Sequence, residues 1–423
     1  MGKFVDREWI SRHSSDGLPR AYRREGLYQA FVPGFLAGRE FAFDSDVFAD
    51  IADAERAAAR FDHAAEVLSS TEALARILLR AESVASSRIE GLEISAQRLL
   101  RADAARSEGL AATDRTAQEV LANVDAMTYA VESGGAITVE RILEVHRRLL
   151  APTRLAVHGG KIRSEQNWIG GTSYNPFGAA FVPPPHEHVP ELLVDFCAFA
   201  NEDALPATVQ AAIAHAQFET IHPFVDGNGR TGRALIHMIL RRRGLVTRTL
   251  LPLSLVLATH TSDYVAALVS TRFLGSADSP EGLRSMNDWV ALFAGACRRA
   301  IANAEDFEAR TRAIVNTWLA RIGPMRSDSA TLALARALPA TPIVTARSVQ
   351  KTLGVSFATA NKAIATLEAA GVLTKTRVGR RNRAFEACEI VDAFTGLERQ
   401  LASPASDTFA SPPERPVPPR PQR

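Results

Sequence analysis

The stretch HPFVDGNGRTGR, residues 222–233, places three glycines and two arginines around a single carboxylate. A helix is predicted over 207–221, and it must end before Pro223 because a residue that precedes proline is pushed out of helical geometry. A second helix is predicted over 230–243. The stretch therefore forms the junction between two helices.

The three glycines are spaced as GxGxxG, which is also the spacing of the dinucleotide-binding fingerprint. That fingerprint follows a strand and needs an acidic residue about twenty positions later. Here a helix precedes the glycines, and no Asp or Glu occurs between Asp226 and Asp263. The GxxxxGK[ST] pattern of a Walker loop is absent as well. Both of these nucleotide-binding motifs are excluded.

An anion site at a helix N-terminus fits the residues better. Glycines at the junction allow backbone N–H groups to converge, and the following helix adds its positive end. Arg230 and Arg233 are three residues apart and can neutralise a polyphosphate together. Asp226 suits Mg²⁺ held between one carboxylate and phosphate oxygens, and His222 suits a general base. This set of residues predicts group transfer from a nucleotide to a hydroxyl.

The stretch resembles the motif of the Fic family, which reads His, any residue, Phe, any residue, Asp or Glu, Gly, Asn, Gly, Arg, two of any residue, and Arg. Every fixed position matches, and the resemblance extends over about residues 65–320. It implies transfer of AMP from ATP to a Ser, Thr or Tyr hydroxyl of a target protein. It assigns His222 as the base, Phe224 as the loop anchor and Asp226 as the Mg²⁺ ligand. The residues predicted to hold the nucleotide are Gly227, Asn228, Gly229, Arg230, Thr231, Gly232 and Arg233.

Two departures from the family pattern bear on which nucleotide is used. The kinase-like branch has lysine where Gly229 stands, so the chain does not resemble that branch. Similar members often carry two adjacent aromatic residues near the base pocket, where this chain has Asp263 and Tyr264. Tyr264 is therefore the residue expected near the base, and ATP the expected nucleotide.

The segment NWIGGTSYNPFGAAFVPPP resembles the hairpin flap that the family places over the site, at about residues 163–189. Phe181 and Val182 are predicted on its returning strand. A target protein is expected to dock there, by adding a segment to the strand edge through main-chain hydrogen bonds.

Residues 72–90 follow the 3.6-residue period of an amphipathic helix, and Glu90 falls in its last turn. The helix dipole disfavours a negative charge at that end. SSRIEG resembles the family's inhibitory pattern of Ser or Thr, three residues, Glu and Gly, here Ser86 to Gly91. The resemblance implies that Glu90 pairs with Arg233 and takes the place of the γ-phosphate. The alternative is a solvated surface glutamate.

The carboxy-terminal part reads as helix, turn, helix and β-wing, which resembles a winged-helix domain. Its recognition helix offers only Asn361 and Lys362 for reading bases. The wing around Gly379 carries cations suited to DNA phosphates, namely Lys375, Arg377, Arg380, Arg381 and Arg383. DNA binding and a protein-docking or homodimer interface both stay open.

The expected fold is mainly α, a Fic-type helical core with a β-hairpin flap and a C-terminal winged-helix domain. The predicted limits are an N-terminal arm over 1–64, the Fic domain over 65–322, the winged-helix domain over 323–392 and a Pro-rich disordered tail over 393–423. Further helices are expected near 115–131, 139–150, 190–200 and 285–320.

Composition bounds the remaining function classes. The 423 residues are 46% hydrophobic and carry a net charge of +2, so nothing suggests a field over the whole chain that attracts nucleic acid. The three cysteines lie far apart, which argues against a disulfide framework or a zinc site. The most apolar stretch, LLPLSLVLA, is too short to span a bilayer, so a cytoplasmic protein without a membrane partner is expected.

Two other functions compete with AMP transfer. One is a DNA-binding regulator whose Fic part senses a nucleotide. The other is removal of AMP from a target protein, with Glu90 orienting the attacking water.

Overall fold

The computed structural model describes residues 2–11, 17–67, 71–110, 114–378 and 382–400, and this part of the chain is mostly helical. The mainly α class predicted from the sequence is confirmed. The α-helices in these residues are α1 (Ser45–Val67), α2 (Thr71–Ile89), α3 (Ala96–Ser107), α4 (Arg115–Glu132), α5 (Val139–Leu150), α6 (Val189–Ala200), α7 (Ala207–Ile221), α8 (Asn228–Arg242), α9 (Leu253–Thr259), α10 (Thr261–Ser270), α11 (Pro280–Ile322), α12 (Ala330–Ala337), α13 (Ala346–Leu353), α14 (Phe357–Ala369) and α15 (Cys388–Gln400). The strands are β1 (Gly2–Trp9), β2 (Gly26–Pro33), β3 (Ile343–Val344), β4 (Thr374–Val378) and β5 (Asn382–Glu386).

The chain divides into two compact units, each assembled from three separate segments. The first contains residues 1–55, 129–243 and 262–295, and the second contains residues 56–128, 244–261 and 296–423. These limits do not coincide with the contiguous limits drawn from the sequence, which stay a prediction.

The first unit is built around α7, whose 15 residues are all buried. Alanine, isoleucine and phenylalanine on every side of the helix allow it to be surrounded. Helices α6 and α8 and strand β2 pack against it. Trp289 of α11, fully buried, donates its indole N–H to the carbonyl of Ala212 at 2.9 Å. The helix that precedes the motif is thus the most enclosed element of this unit.

Strands β1 and β2 form an antiparallel pair, in register from Gly2 opposite Pro33 to Trp9 opposite Gly26. They lie in the region predicted as an N-terminal arm, which also contains most of α1. The backbone N–H of Phe31 in β2 donates to the carbonyl of Val182 at 3.0 Å. The hairpin is therefore bonded to the segment predicted as the flap.

In the second unit, α3 packs two faces into two apolar clusters. One cluster joins it to α2 and α4, through Val84, Ile94, Leu99, Ala102, Ala117, Val120 and Leu121. The other joins it to the carboxy-terminal elements, through Leu100, Ala104, Ala105, Ile343, Val378, Ala384 and Val391. The carboxy-terminal elements are therefore integral to the packing of this unit.

The carboxy-terminal elements follow one another as α12, β3, α13, α14, β4, β5 and α15, with a sheet in the order β3-β5-β4. This is the predicted order of helix, turn, helix and hairpin. Gly379, Arg380 and Arg381, at the tip of the predicted wing, lie outside the described residues. The disordered tail was predicted from residue 393, but α15 continues to Gln400, and residues 401–423 lie outside the described part.

No helix among the described residues combines the length and apolar character that a membrane span requires.

Candidate active site

The loop between α7 and α8 begins at His222, which has left-handed backbone angles, φ 48° and ψ 60°. It is the only residue other than glycine with a positive φ in the described part of the chain. A side chain in this region costs roughly 1–2 kcal/mol. Arg163, only 4% exposed, donates from Nε to the His222 carbonyl at 2.9 Å and from its backbone N–H to the Pro223 carbonyl at 3.0 Å. These bonds hold the unfavourable geometry.

The same loop is closed by Asn228 and anchored by Phe224. Asn228 Oδ1 accepts the Phe224 N–H at 2.8 Å, and its Nδ2 donates to the Phe224 carbonyl at 2.9 Å. The Phe224 ring is fully buried and stacks on His146, with ring centroids 3.7 Å apart and 7° between the planes. The anchoring position of Phe224 agrees with the role that the family resemblance implied.

His146 of α5 is a site residue that the sequence analysis did not single out. Its Nδ1 accepts the Gly160 N–H at 3.1 Å, which leaves the ring proton on Nε2 to donate to the Asp226 carbonyl at 3.0 Å. Burial lowers the pKa of His146 to about 4, so the ring is neutral. The sequence does contain a signal for this residue. His146 lies four residues after Ile142 and directly after Val145, so it falls inside the apolar face of α5.

Helix α8 begins at Asn228, two residues before the predicted start. Gly227 precedes it with φ 79°, and a Cβ there would lie 2.9 Å from the Leu149 side chain. The three glycines were expected to let backbone N–H groups converge at the junction, but Gly229 and Gly232 do not have a positive φ. Both lie inside the helix, where the first-turn N–H groups have no intrahelical acceptor. The predicted anion site therefore coincides with a helix N-terminus rather than with a nest of left-handed glycines.

Gly232 serves packing instead. A Cβ at this position would lie 2.4 Å from Glu219 Oε1 and 3.1 Å from Phe218 Cδ1. Its lack of a side chain lets α8 approach α7 closely.

Two side chains in the first turns of α8 keep buried polar atoms without a hydrogen-bond partner. Arg230 is 4% exposed, and its Nε and Nη1 have none. Thr231 is fully buried, and its hydroxyl has none either. Buried donors normally find acceptors, so these atoms could donate to an acceptor on a ligand. Arg233 lies one turn after Arg230 and is 1% exposed.

The His222 ring is half-buried and neutral. Burial lowers its pKa to about 3, and the positive charges of Arg163 and Arg272 act in the same direction. Its Nδ1 lies 3.0 Å from Asn167 Nδ2 and 3.2 Å from Asn228 Nδ2. The ring is therefore held in place by two side-chain amides, and it is neutral at neutral pH.

The Asp226 side chain is 48% exposed, and its Oδ2 lies 3.4 Å from Arg230 Nη2. Among the described residues, no group of three or more His, Cys, Asp or Glu side chains is placed to hold a metal ion. A Mg²⁺ ion beside Asp226 would therefore take most of its ligands from phosphate oxygens and water, as it often does beside nucleotides. One accessible carboxylate next to an anion site fits that arrangement.

Tyr264 of α10 is 3% exposed, and its hydroxyl lies 2.7 Å from His215 Nε2. Its ring is stacked near His215 and tilted against Trp289. Burial, followed by the charge of Arg233, lowers the pKa of His215 to about 3. Tyr264 thus takes part in a buried polar group of this unit, and its contact with a nucleotide base stays a prediction.

The flap segment is an irregular loop pair in which only Ile169 and Phe181 form a bridge. Arg272 lies over the Phe181 ring, with its guanidinium carbon 3.6 Å from the ring centroid. The Val182 carbonyl already accepts the Phe31 N–H, so this oxygen is not available to an added strand. Target docking on the flap stays a prediction, and it would need other main-chain groups.

Ser86 and Glu90 belong to the second unit. Ser86 is fully buried in α2, and Glu90 is exposed in the turn that follows the helix, with Gly91 at φ 80°. Helix α2 is fixed within its unit by Glu82, whose carboxylate accepts the Ser254 N–H at 2.7 Å and the Ser254 hydroxyl at 2.5 Å.

The sequence matches two known family regions, and the match over residues 136–240 contains the site. Residues 136–240 match the Fic/DOC family, and residues 48–132 match the Fic/DOC family N-terminal region. These matches identify a Fic domain and its N-terminal region within the chain. Both matching regions end before the carboxy-terminal elements, whose assignment as a winged helix stays a prediction.

Curated relatives of this Fic chain include the protein adenylyltransferase fic-1 of Caenorhabditis briggsae, 39% identical over 111 residues, and the protein adenylyltransferase Fic of Drosophila melanogaster, 37% identical over 111 residues. Each match covers 26% of this chain and 20% of the relative, so the matched region spans about a fifth of the relatives' length. A Fic family protein from Desulfovibrio desulfuricans G20 has a similar structure, with a TM-score of 0.50 and 22% identity over 82% of this chain and 97% of that one. That likeness shows the Fic fold alone.

Arg163 and Asn167 are further site residues that the sequence analysis did not identify. Both precede the motif by more than fifty residues, and neither belongs to an apolar period. Only the fold brings them to His222.

Proposed function

We propose that the chain is a protein adenylyltransferase that transfers AMP from ATP to a hydroxyl of a target protein. The observation that carries this proposal is the neutral His222 ring in the loop that leads into the α8 N-terminus, where buried Arg230 and Thr231 atoms have no partners. The named activity of the curated relatives supports the same chemistry.

In the proposed reaction the target hydroxyl oxygen attacks the α-phosphorus of ATP, and its proton passes to the His222 ring. A bond from the α-phosphorus to the hydroxyl oxygen forms, while the bond to the bridging oxygen of the β-phosphate breaks and pyrophosphate leaves. The first-turn N–H groups of α8 and Arg230 hold the phosphates, since a helix N-terminus and a guanidinium both favour anions. Mg²⁺ held by Asp226 would offset the charge of the phosphates.

Regulation by Glu90 belongs to the same proposal. It rests on the SSRIEG resemblance, by which Glu90 would compete with the γ-phosphate for Arg233. The prediction is that the wild-type chain transfers AMP slowly and that removing this carboxylate speeds it.

The test is incorporation of labelled AMP into protein, using ATP labelled at the α-phosphate and a cell lysate as the source of targets. His222→Ala should abolish incorporation while the Kd for ATP stays within about threefold, because a general base acts mainly in the transition state. His186→Ala removes an exposed histidine and should change neither quantity. Equal incorporation by wild type and His222→Ala would exclude the proposed role of the base.

A second candidate function is favoured by one observation in the carboxy-terminal sheet. Arg377 and Arg383, both exposed, lie directly opposite each other on β4 and β5. Like charges in that position destabilise a sheet unless an anion offsets them. Glu368 does so in part, 3.7 Å from Arg383, but it also pairs with Lys375 at 2.5 Å. We therefore propose that this hairpin contacts phosphates of DNA.

Salt dependence separates DNA binding from the protein-docking or homodimer interpretation. Every DNA phosphate that the hairpin no longer neutralises should reduce the slope of log affinity against log salt by about 0.9. Arg377→Ala with Arg383→Ala should therefore flatten the slope measured on duplex DNA. A wild-type chain with no salt-sensitive affinity for DNA would favour docking.

A further inference from the structure

Asn167 is a polar contact of the His222 ring that lies outside the motif. It lies between Arg163 and the Ile169 bridge, and its Nδ2 is 3.0 Å from His222 Nδ1 and 3.0 Å from the Phe224 carbonyl oxygen. Its Oδ1 is buried and has no hydrogen-bond partner. A buried amide oxygen without a donor normally carries a cost, so this arrangement calls for an explanation.

The orientation of the Asn167 amide follows from the Phe224 carbonyl. That oxygen can only accept, and so can the His222 carbonyl oxygen, 3.4 Å from Nδ2, so in the structure the NH₂ group faces both and one N–H is directed at His222 Nδ1, the nearer contact at 3.0 Å. Asn228 is oriented in the same way, because its Oδ1 is held by the Phe224 N–H, and its Nδ2 also meets Nδ1. His222 Nδ1 therefore faces two donors.

A ring nitrogen that faces two donors must accept, so the proton of the neutral ring lies on Nε2. In this tautomer Nε2 has no lone pair for a hydroxyl proton. A base that acts through Nε2 needs the proton on Nδ1, and Nδ1 then needs an acceptor. The charged groups that face the ring, Arg163 and Arg272, are both cations and cannot accept.

Asn167 is able to supply that acceptor. A half-turn about its Cβ–Cγ bond, with a movement of the amide away from the Phe224 carbonyl oxygen, replaces Nδ2 by the unpartnered Oδ1 at His222 Nδ1. The change gives up the Asn167 hydrogen bonds to the carbonyls of Phe224 and His222, while Asn228 continues to donate to the Phe224 carbonyl at 2.9 Å. Asn228 cannot make this turn without losing the Phe224 N–H. The contact of Asn228 that is lost in this change is the longer one, 3.2 Å from its Nδ2 to His222 Nδ1.

We propose that Asn167 is a positioning residue that selects which ring nitrogen of His222 carries the proton. With its NH₂ group at Nδ1 the ring is a donor through Nε2. With its Oδ1 at Nδ1 the hydroxyl proton moves to Nε2, and the resulting imidazolium donates Nδ1–H to Asn167. The catalytic part of this inference rests on the proposed AMP transfer, whereas the tautomer does not.

The full-length chain labelled with ¹⁵N-histidine tests the tautomer by NMR without any activity. The signals of His222 are identified by their loss in His222→Gln. Wild type at pH 8 should show the proton on Nε2. Asn167→Asp replaces the donor with an acceptor, so the proton should move to Nδ1 and the acid limb of the pH–rate profile should shift upward by at least one unit.

Asn175→Ala is the matched control, because Asn175 lies in the same segment and donates to the carbonyls of Ala21 and Tyr22 instead. It should leave the tautomer unchanged. Asn167→Ala should lower kcat about 10-fold or more and change the KM for ATP less than about threefold. The expected loss in kcat is part of the rate enhancement that a general base supplies. A wild-type ring protonated on Nδ1, or unchanged His222 signals in Asn167→Asp, would overturn the proposal. The expected NMR result without any AMP transfer would instead count against the proposed function.

Discussion

Replacing Arg230 by methionine should make the protein more stable without nucleotide and weaken its binding of ATP. Each buried donor without an acceptor costs about 1–3 kcal/mol, and Arg230 has two, Nε and Nη1. The pair with Asp226, at 3.4 Å and half-exposed on the carboxylate side, returns at most about 1 kcal/mol. Methionine keeps the length and removes the donors. With the pair subtracted from the two donors, the free energy of unfolding should rise by about 1–5 kcal/mol.

The same donors are what a phosphate would use. A charge-assisted hydrogen bond contributes about 1.5–3 kcal/mol, so the loss of one raises the Kd for ATP roughly 10- to 100-fold. Calorimetric titration with ATP and Mg²⁺ measures the Kd, and urea unfolding of the free protein measures stability. Lower stability of Arg230→Met together with unchanged ATP affinity would refute the reasoning.

Arg243→Met supplies the control at the other end of α8. Its guanidinium donates to the Leu205 carbonyl and to Gln210 Oε1, both at 2.8 Å, and lies 3.2 Å from Asp203 Oδ1. Because these acceptors would lose their partner, this variant should be destabilised by about 1–3 kcal/mol and bind ATP normally. The two arginines should therefore shift stability in opposite directions.

Three further predictions concern other parts of the chain. Glu90→Gly should raise self-modification on the order of 10- to 100-fold, and adding Arg233→Ala should remove the gain; equal rates for wild type and Glu90→Gly would leave Glu90 a surface residue. The pH–rate profile should show no loss of activity between pH 7 and 6, because the pKa of His222 is lowered to about 3 and the ring stays neutral; an inflection near 6.5 would oppose this. Burial alone would raise the pKa of Asp62, but hydrogen bonds, the largest from the Arg248 N–H, lower it, so its stabilisation is present above its unfolded pKa and lost as pH falls through the folded one. Asp62→Asn should accordingly lose about 1–3 kcal/mol at pH 7 in urea unfolding and approach wild type in strong acid.

The sequence predicted the helices and strands whose position is determined by neighbouring residues. Helices α5 and α7 were placed at their observed bounds, because the apolar residues of α5 recur with helical spacing and α7 must end before Pro223. Helix α3 was missed because Leu99 packs in one apolar cluster and Leu100 in the other, so the helix has no single apolar stripe. Strand β1 was missed because its residues, GKFVDREW, are largely charged and partly exposed.

The site residues also separate into those that the local sequence predicts and those that only the tertiary fold brings together. The motif itself predicts the phosphate-binding helix end. The helical conformation of Gly229 and Gly232 could not be predicted, because glycine adopts positive and negative φ about equally readily. Arg163 and Asn167 contact His222 only through the tertiary fold, and nothing in their neighbourhood of sequence distinguishes them from ordinary loop residues.

The two-sided packing of α3 bears on how the chain can be shortened. If it were cut after Ile322, the carboxy-terminal partners of Leu100, Ala104 and Ala105 would be removed, and their side of α3 would meet water. Apolar area left in this way costs about 25 cal/mol per Å² and tends to be covered by another molecule. The carboxy-terminal elements are consequently not a detachable module. A fragment ending at residue 322 would be prone to self-association, and its low solubility would say nothing about the integrity of its catalytic residues.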